Sequence, residues 1–566
     1  MRISIILLCV CLVQTAFVFA QPVNEVVQRQ LTTQTNPLER ANKASVQPSK
    51  KVVIEKKEEK KVVAEGIQFL VKKIVIEGNG LFKSDDLLAE AHQLEGTMMS
   101  LADLQKFADR ITILYHKHGY TTSRAYIPPQ KVVDGVVSIH ILEVRVGKVS
   151  VEGERWFSKS LYRNALGLNS GDHFEMGDLE NALRKINTQP DRFATTYLAP
   201  GHEPGTTDIL MKVQDQQPLH ASLEYNLTGS KLTGGDRYLL HLTDNNLTGH
   251  GDSLKSTFSM AEAGALYASS MHYEMPIPKT RDVFHLDVGR AQSRLQKNLY
   301  DLHVTGNLIS FISGWTHTFV EDTRVRLEGD VRFEIKDSKT DVLKDKFSFD
   351  RNRVLVAGPR VTFNDATGRT FAGADVHTGA AGFMGSSSHH DSLASRMDSG
   401  GSFVYETLNL ARIQRLPLGM ALISQASGQF SDAALNSLEQ FNLGGMYSVR
   451  GYPENDASGD SGFSVSQEWR IPVYFIPETW HVVGMKDKTW RDALSLATFI
   501  DAGRVFNRKR EQVSSLKDTT LVGAGIGLRF YLSPDSNITF DTGFPLGDDP
   551  SDNHAAQFHL AVRWGF

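Results

Sequence analysis

Cysteine is nearly absent from this chain, since Cys9 and Cys11 are the only two among 566 residues. Both lie in an apolar run from Ile3 to Val18 that follows Arg2 and ends in Val18-Phe19-Ala20. Small residues at the last position before a cleavage site and two positions earlier, here Ala20 and Val18, are typical of a signal-peptidase site. The sequence therefore predicts a signal peptide over residues 1–20. The exported chain would then contain no cysteine, which excludes disulfides and thiolate metal sites.

The chain also lacks long apolar runs and an excess of basic over acidic residues. After Ala20 no run of about 18 apolar residues occurs, so the sequence predicts no membrane-spanning helix. The formal net charge is −4 and the pI is about 6.6, which argues against a nucleic-acid partner. A membrane protein with this profile must cross by a closed β-barrel, because only a barrel satisfies the backbone groups of its strands in lipid. The alternative is a soluble periplasmic or secreted β protein.

The segment after the predicted cleavage site contains few large apolar side chains. Gln21–Asn42 fits a short helix around Val26, Val27 and Leu31, while Lys50–Glu65 alternates lysine pairs with glutamate, which is typical of a solvated linker. The sequence therefore predicts an N-terminal helix and linker over residues 21–66.

An internal repeat follows this linker. Val71–Gly78 matches Val146–Gly153, and a phenylalanine follows each copy at the same spacing. The first copy fits the order strand, helix, helix, strand, strand, and the second copy is similar. The sequence thus predicts one α+β domain over residues 67–145 and a second over residues 146–216.

The helices of the repeat are indicated by caps and apolar spacing. In the first copy a helix is predicted after Ser84, and a second helix has Ser100 as its cap, Asp103 at the capping-box position and Gly119 as its stop. In the second copy one helix is indicated, with apolar positions between residues 179 and 186.

Residues 217–566 show little helical periodicity, and at about 9–11 residues per membrane strand plus turns this length accommodates about 16 strands. Alternation within Leu521–Leu532 puts five apolar residues on one face and three glycines with Arg529 on the other. One face suits lipid and the other suits a lumen. The last residues alternate in the same way and end on Phe566.

A polar loop late in the chain contains Ser448-Val449-Arg450-Gly451-Tyr452-Pro453. About fifty residues later, alternation in Thr498–Gly503 places Phe499, Asp501 and Gly503 on one strand face. An acid on an otherwise apolar strand needs a partner, and a guanidinium binds a carboxylate through two parallel hydrogen bonds. Arg450 is the candidate partner of Asp501.

These two motifs together resemble the signature of outer-membrane barrels that insert or export proteins and follow periplasmic POTRA domains. The resemblance implies that the loop folds back into the barrel lumen and that Arg450 pairs with Asp501. It places Val449, Gly451 and Tyr452 at the loop tip, with Phe499 and Gly503 beside the acceptor.

A second resemblance narrows the family. Tyr126-Ile127-Pro128-Pro129-Gln130, followed by Asp134-Gly135, resembles the first POTRA domain of the ShlB/FhaC/HecB-type transporters of two-partner secretion. Its signature residues here are Tyr126, Pro128, Pro129 and Gln130. The final strand, with Trp564 and Phe566, resembles the targeting signal by which the barrel assembly machinery recognises outer-membrane barrels.

The expected architecture is therefore two α+β POTRA domains in the periplasm, followed by an all-β transmembrane barrel of about 16 antiparallel strands over residues 217–566. The resemblance implies an outer-membrane transporter for a secreted, haemolysin- or adhesin-like partner exoprotein. The POTRA domains would capture the unfolded exoprotein by strand addition, and it would then pass through the lumen. The partners expected are this exoprotein, outer-membrane lipid and the barrel assembly machinery.

Two other functional classes are alternatives, namely a relative of the barrel insertases and a barrel hydrolase. Ser386–Asp391 offers serine, histidine and aspartate, but adjacent histidines in an extended segment point apart. Gly547–Asn553 offers three acids without the spacing of a calcium loop. The sequence therefore predicts no catalytic residue, no cofactor and no metal site, and the leading interpretation is a transporter that is not an enzyme.

Overall fold

A computed structural model describes residues 52–54, 68–82, 91–230, 232–278, 280–388, 390–483, 485, 488–508, 517–533 and 535–566. The predicted signal peptide lies outside these residues, as does the predicted N-terminal helix and linker apart from residues 52–54. The chain divides into compact units between Pro218 and Leu219, and each unit is described separately. No helix within the described ranges is long and apolar enough to cross a membrane.

The first unit begins with a short strand and an α+β domain. Its elements are β1 (Val52–Ile54), β2 (Gln68–Val71), β3 (Lys73–Glu77), β4 (Thr97–Ser100), α1 (Leu101–Lys117), β5 (Arg124–Tyr126) and β6 (Val136–Leu142). The strands β3, β6 and β5 form a sheet in that order, with β3 parallel and β5 antiparallel to β6, while β2 and β4 form a separate pair. The helix predicted after Ser84 falls largely outside the described residues.

Helix α1 begins and ends as its sequence predicts. The hydroxyl of Ser100 accepts from the Asp103 backbone N–H at 3.3 Å, and the Asp103 carboxylate accepts from the Ser100 N–H at 3.2 Å, which completes the capping box. The buried face consists of Leu104, Phe107, Ala108, Ile111 and Tyr115. The predicted second helix of the first copy is confirmed.

A second α+β domain follows with β7 (Arg145–Glu152), α2 (Lys159–Leu166), α3 (Met176–Thr188), β8 (Arg192–Pro200) and β9 (Thr206–Asp215). Helix α3 confirms the helix indicated between residues 179 and 186, whereas α2 was not foreseen. The sheet order is β1-β8-β9-β7, and β1 pairs in parallel with β8 from Val52–Thr196 to Ile54–Leu198. The prediction of a solvated linker is therefore wrong for residues 52–54, which form an edge strand.

One carboxylate in each copy makes a similar set of contacts within that copy. Glu143 accepts from the backbone N–H groups of Gly80 and Leu81 at 2.7 and 2.8 Å and from the Tyr115 hydroxyl at 2.7 Å. Asp215 accepts from backbone N–H groups of residues 155–157 and from the Tyr162 hydroxyl at 3.2 Å. Burial and the neighbouring acid raise the pKa of both tyrosines well above the ordinary value, so both remain donors.

The second unit contains a closed barrel. Its elements in chain order are β10 (Leu219–Asn226), β11 (Arg237–Asp244), β12 (Ser253–Ala261), β13 (Leu266–Pro276), β14 (Asp282–Arg294), β15 (Thr305–Glu321), β16 (Val325–Val342), β17 (Asp345–Asn364), β18 (Gly368–Gly379), β19 (Phe403–Arg415), β20 (Ala421–Ser431), β21 (Phe441–Leu443), β22 (Ala457–Gly459), β23 (Ser461–Pro472), α4 (Trp490–Ala493), β24 (Leu494–Phe506), β25 (Thr519–Ser533), β26 (Ser536–Pro545) and β27 (Gln557–Gly565).

Sixteen of these strands form the barrel, and the prediction of about 16 antiparallel strands is confirmed. Neighbours along the chain pair with each other, except that β20 pairs with β23 across the inserted β21 and β22. The final strand β27 closes the barrel by pairing with β10 from Ser222–Gly565 to Asn226–Ala561. Closure leaves no free strand edge, which a lipid environment requires.

The predicted alternation of side chains in β25 gives this strand an outer and an inner face. Ile526 points outward with 63% of its surface exposed, whereas Arg529 is 2% exposed on the opposite face. An apolar exterior suits lipid and a polar interior suits a lumen.

Candidate functional site in the barrel lumen

The long connection between β20 and β23, residues 432–460, is mostly buried against inward-facing barrel side chains. Within it, β21 and β22 pair antiparallel from Phe441–Gly459 to Leu443–Ala457. We call residues 432–443 and 457–460 the stem and residues 444–456 the tip of this lumenal loop. Gly444 and Gly445, at the start of the tip, have φ of +101° and +96°, which favour glycine.

Arg450, at the tip, contacts Asp501 of β24 through three hydrogen bonds. Its Nε donates to Oδ2 at 2.7 Å, its Nη2 donates to Oδ1 at 3.0 Å, and its backbone N–H donates to Oδ2 at 3.1 Å. The ring centroid of Phe499 lies 3.5 Å from the Arg450 Cζ, so the guanidinium also stacks on an aromatic face. Asp501 has no exposed surface. The structure thus brings together the two residues that the motifs paired, with the two-pronged geometry expected for a guanidinium.

Further charges surround this pair. Arg450 Nη1 donates to Glu468 of β23 at 2.6 Å, and Arg529 of β25 donates to Glu468 at 2.6 Å and to Asp541 of β26 at 2.7 Å. Arg470 donates to Glu468 at 2.8 Å. The full network consists of Arg450, Arg470, Arg529, Asp501, Glu468 and Asp541. Three arginines thus face three carboxylates, so each buried charge in the network has a partner of opposite sign.

We call this network the tip anchor. Sequence reasoning put Arg529 on the lumenal glycine face but missed Glu468 and Asp541. Alternation in β23 and β26 could have shown which face carries these acids. No local pattern links either acid to Arg450, because the contacts join distant strands.

The other tip residues of the motif are buried beside the anchor. Val449 packs with Leu443 and Val505 in an apolar cluster that includes Tyr452. The Tyr452 hydroxyl donates to the Val522 carbonyl at 3.2 Å and accepts from the Gly547 N–H at 3.0 Å. Both residues hold the tip by packing rather than by charge.

Glycines on the inner wall make room for the loop. Gly451 has φ of +103°. A Cβ at Gly523 would collide with the Arg450 carbonyl oxygen, and one at Gly543 would collide with the Gly451 N–H. A Cβ at Gly503 would lie 2.8 Å from the Leu443 side chain. Gly523 of β25 and Gly543 of β26 therefore leave room for the tip, whereas Gly503 of β24 faces the stem.

The stem has a charged contact of its own, in a different part of the wall. The Glu439 carboxylate accepts from Lys336 Nζ of β16 at 2.8 Å, from Asn352 Nδ2 of β17 at 2.7 Å and from the Tyr405 hydroxyl of β19 at 2.7 Å. Glu439 is 3% exposed. Lys336 also contacts Glu334 at 3.0 Å. We call Glu439 with these partners the stem anchor; the sequence analysis did not identify it.

Neutral contacts extend the stem anchor. Asn436 and Asn352 exchange side-chain hydrogen bonds of 2.8 and 3.1 Å. Gln429 of β20 donates to the Glu439 carbonyl at 2.7 Å. The hydroxyls of Ser437 and Ser395 lie 2.9 Å apart, which connects the stem to the loop between β18 and β19.

The POTRA signature has a structural role in the first α+β domain. Tyr126 ends β5, and Pro128 and Pro129 cannot continue its pairing because proline has no N–H to donate. The Gln130 side chain instead hydrogen-bonds both backbone groups of Ser138 in β6, at 2.7 and 2.8 Å. The signature therefore closes part of the sheet edge next to β6.

The predicted assembly residues lie at the barrel closure. Trp564 pairs with Leu223 of β10, and the Phe566 N–H donates to the Ala221 carbonyl at 2.9 Å. Both side chains face outward and are exposed.

The segments that resembled enzyme sites do not form one among the described residues. His390 contacts Asp398 at 2.8 Å, while Asp391 pairs with Arg351 at 3.5 Å. Asp548 accepts from a backbone N–H at 2.8 Å. Within the described ranges, no cluster of His, Cys, Asp and Glu could hold a metal ion.

Comparison with known proteins gives matches over most of the chain. The family model described as "Haemolysin secretion/activation protein ShlB/FhaC/HecB" matches residues 205–530, and the one described as "POTRA domain, ShlB-type" matches residues 69–143. The heme/hemopexin transporter protein HuxB of Haemophilus influenzae (strain 86-028NP) is 24% identical over 492 residues, which cover 85% of this chain and 84% of that protein.

Two further proteins are similar to this chain over most of its length. The outer membrane transporter CdiB of Dickeya dadantii (strain 3937) is 22% identical, over 80% of this chain and 79% of that protein. The solved structure of CdiB from Escherichia coli is similar with a TM-score of 0.71 at 18% identity, covering 96% of this chain and 99% of that chain. This last likeness concerns the fold.

Proposed function

The chain belongs to the ShlB/FhaC/HecB family of haemolysin secretion/activation proteins, and on that premise we propose that it exports one partner exoprotein across the outer membrane. It is an outer-membrane barrel preceded by POTRA domains, in a family of two-partner secretion transporters. The observation that carries the proposal is the lumenal loop, which occupies the lumen and is held there by Arg450 and Asp501. Such a loop can close a resting pore and move during transport.

We assign capture of the unfolded exoprotein to the POTRA domains. The edge of β8 supports this assignment, because it already accepts a strand, β1, through parallel pairing. Strand addition gives affinity through the backbone and therefore suits an unfolded partner. In the first domain, by contrast, the edge beside β6 is partly closed by Gln130.

No catalytic step is part of the proposal. Folding of the exoprotein outside the cell would make its passage directional, so neither a cofactor nor a metal is required. The outward-facing Trp564 and Phe566 are assigned to recognition by the barrel assembly machinery and to contact with outer-membrane lipid.

The proposal is tested by deleting the gene in its own bacterium and measuring the release of large secreted proteins. We expect one exoprotein to disappear from the medium and return on complementation, while other outer-membrane barrels assemble normally. Unchanged secretion would contradict the proposal. A general loss of barrels from the outer membrane would instead favour the insertase alternative.

Capture is tested with soluble fragments. A fragment of residues 67–216, which lacks β1, should bind the unfolded N-terminal domain of the exoprotein with micromolar affinity, because a transporter must release what it captures. The longer fragment 46–218 should bind more weakly if β1 and the exoprotein use the same edge. Equal binding by both fragments would move the capture site away from β8.

A further inference from the structure

We propose that Glu439 is a positioning residue that fixes the stem of the lumenal loop to the barrel wall, so that only the tip moves when the tip anchor opens. The inference rests on the proposed transport function. It concerns a part of the loop that the Arg450 motif does not include.

The chemistry around Glu439 requires a carboxylate. Lys336, Asn352 and Tyr405 are all donors, and they converge on the two carboxylate oxygens at 2.7–2.8 Å. Glutamine at this position would present one oxygen and one NH₂ group, and the NH₂ group would face a donor. The site is therefore built for a negative charge and not merely for a polar side chain.

The stem anchor and the tip anchor use separate parts of the wall. Glu439 contacts β16, β17 and β19, whereas Arg450 contacts β23, β24 and β26. Between the two anchors lie Gly444 and Gly445, whose positive φ values mark a point where the backbone can change direction with little steric hindrance. The tip can therefore rotate about these glycines while the stem stays bound.

The charges around Lys336 allow Glu439 to be neutralised without leaving a buried cation unpaired. Lys336 lies between Glu334 and Glu439, at 3.0 and 2.8 Å. When Glu439 becomes neutral, Lys336 keeps Glu334 as its partner, so Glu439→Gln leaves no isolated buried cation. The variant therefore loosens the stem while Lys336 stays paired in the wall.

The test replaces the stem anchor with a covalent bond. The hydroxyls of Ser395 and Ser437 are 2.9 Å apart, so cysteines are placed at these two positions to tie the stem to the loop between β18 and β19, and formation of the disulfide is measured directly. The matched control is Ser427→Cys/Ser464→Cys, because those hydroxyls are 2.6 Å apart on the adjacent strands β20 and β23. Both pairs are placed in full-length protein carrying Cys9→Ser and Cys11→Ser.

Secretion of the exoprotein is measured with and without reductant, and thiol labelling measures how much disulfide has formed. Glu439→Gln should lower secretion roughly five- to tenfold, as expected for lost charged hydrogen bonds. The Ser395–Ser437 disulfide should restore secretion to within about twofold of the parent protein, and reductant should abolish the rescue. The control disulfide should not rescue. In the parent protein, the Ser395–Ser437 disulfide should leave secretion unchanged, because the stem does not have to move.

Three results would overturn the inference: a disulfide that forms in Glu439→Gln but fails to rescue it, equal rescue by the control disulfide, or a reversible block of secretion when the parent protein carries the Ser395–Ser437 disulfide. Any of these would mean that Glu439 acts otherwise or that the stem must leave the wall. If the parent protein secretes no exoprotein at all, the proposed function fails instead, so the two failures are distinguishable.

Discussion

The two anchors of the lumenal loop have opposite polarity. At the tip the loop contributes a cation, Arg450, to a wall that carries carboxylates, whereas at the stem it contributes a carboxylate, Glu439, to a wall that carries Lys336. The wall at the stem keeps a balanced pair, Lys336 with Glu334, when the loop leaves. The wall at the tip does not, because Asp501 loses its charged partner. Opening the tip is therefore the step with the larger electrostatic consequence.

The largest expected effect is at the tip pair. Among the described residues, Arg450→Ala leaves Asp501 buried with the Ser466 hydroxyl as its side-chain donor, and an unpaired buried charge typically costs about 3–5 kcal/mol. We expect each of Arg450→Ala and Asp501→Ala to reduce secretion by well over tenfold, with normal heat-modifiable migration of the barrel. The double variant should lose far less than the sum of the single losses.

Arg450→Lys serves as the conservative variant at this position. It should also be defective, because an ammonium cannot make the two parallel bonds to Asp501. Strictly additive single and double variants in the secretion assay would show that the two residues act independently.

The two charged partners of the stem anchor, Lys336 and Glu439, should differ in how much their removal destabilises the barrel. Lys336→Met leaves Glu439 buried without a cation and leaves Glu334 with only the more distant Arg332 at 3.6 Å, whereas Glu439→Gln leaves Lys336 paired with Glu334. We expect Lys336→Met to destabilise the barrel by roughly 2 kcal/mol or more relative to Glu439→Gln, and therefore to lower secretion and the unfolding temperature further. The measurement is the temperature at which the folded band disappears on a gel. Glu224→Gln is the control, because it removes a barrel carboxylate that pairs with His241 and not with the loop. Equal effects of the two stem variants would contradict the asymmetry.

Glycine-to-alanine variants at the tip and at the stem should also differ in secretion, by a smaller amount. Gly523→Ala would place a Cβ in severe collision with the Arg450 carbonyl oxygen. Gly503→Ala would place one 2.8 Å from the Leu443 side chain and 2.9 Å from the Phe463 carbonyl oxygen, so its collision is milder. We expect Gly523→Ala to reduce secretion severalfold and Gly503→Ala less. Gly373→Ala, whose nearest neighbours lie at 3.8 Å, should have no effect. A larger defect in Gly503→Ala than in Gly523→Ala would reverse this order.

The smallest expected effect is at Tyr452. Tyr452→Phe removes one hydrogen bond to Val522 and one from Gly547 but keeps the buried ring, so the docked tip should lose about 1 kcal/mol. Secretion should fall by less than about threefold. A complete loss would mean that the hydroxyl does more than hold the tip.

The sequence was informative where the deciding residues stand close together or alternate regularly. The sixteen-stranded barrel follows from alternation and length, and α1 follows from Ser100, Asp103 and the apolar spacing. Arg450 and Asp501 could be paired in advance because each stands in a short, distinctive motif.

The stem anchor could not be predicted in this way. Glu439 and Lys336 are 103 residues apart, and Glu439 stands in a loop with no periodic pattern. Helix α2 was missed because its short apolar face, Tyr162 and Leu166, gives little periodicity. The strand β1 was missed although Val52, Val53 and Ile54 are all β-branched, because a run of three residues in a lysine-rich segment is too short to distinguish from a linker. Its pairing with β8 is decided by the sheet.

The barrel strands are very unequal in length, and this gives the barrel a rim of uneven height. Strand β17 has 20 residues and β10 has 8. At about 3.3 Å per residue and a tilt of about 40°, these lengths correspond to heights of roughly 50 and 20 Å, against an apolar band of roughly 25 Å. Strand order places the turn between β16 and β17, at Leu343 and Lys344, at the end of the barrel opposite to the start of β10. This turn joins the two longest strands that the structure describes, and a raised hairpin of this kind is open to an antibody or a protease.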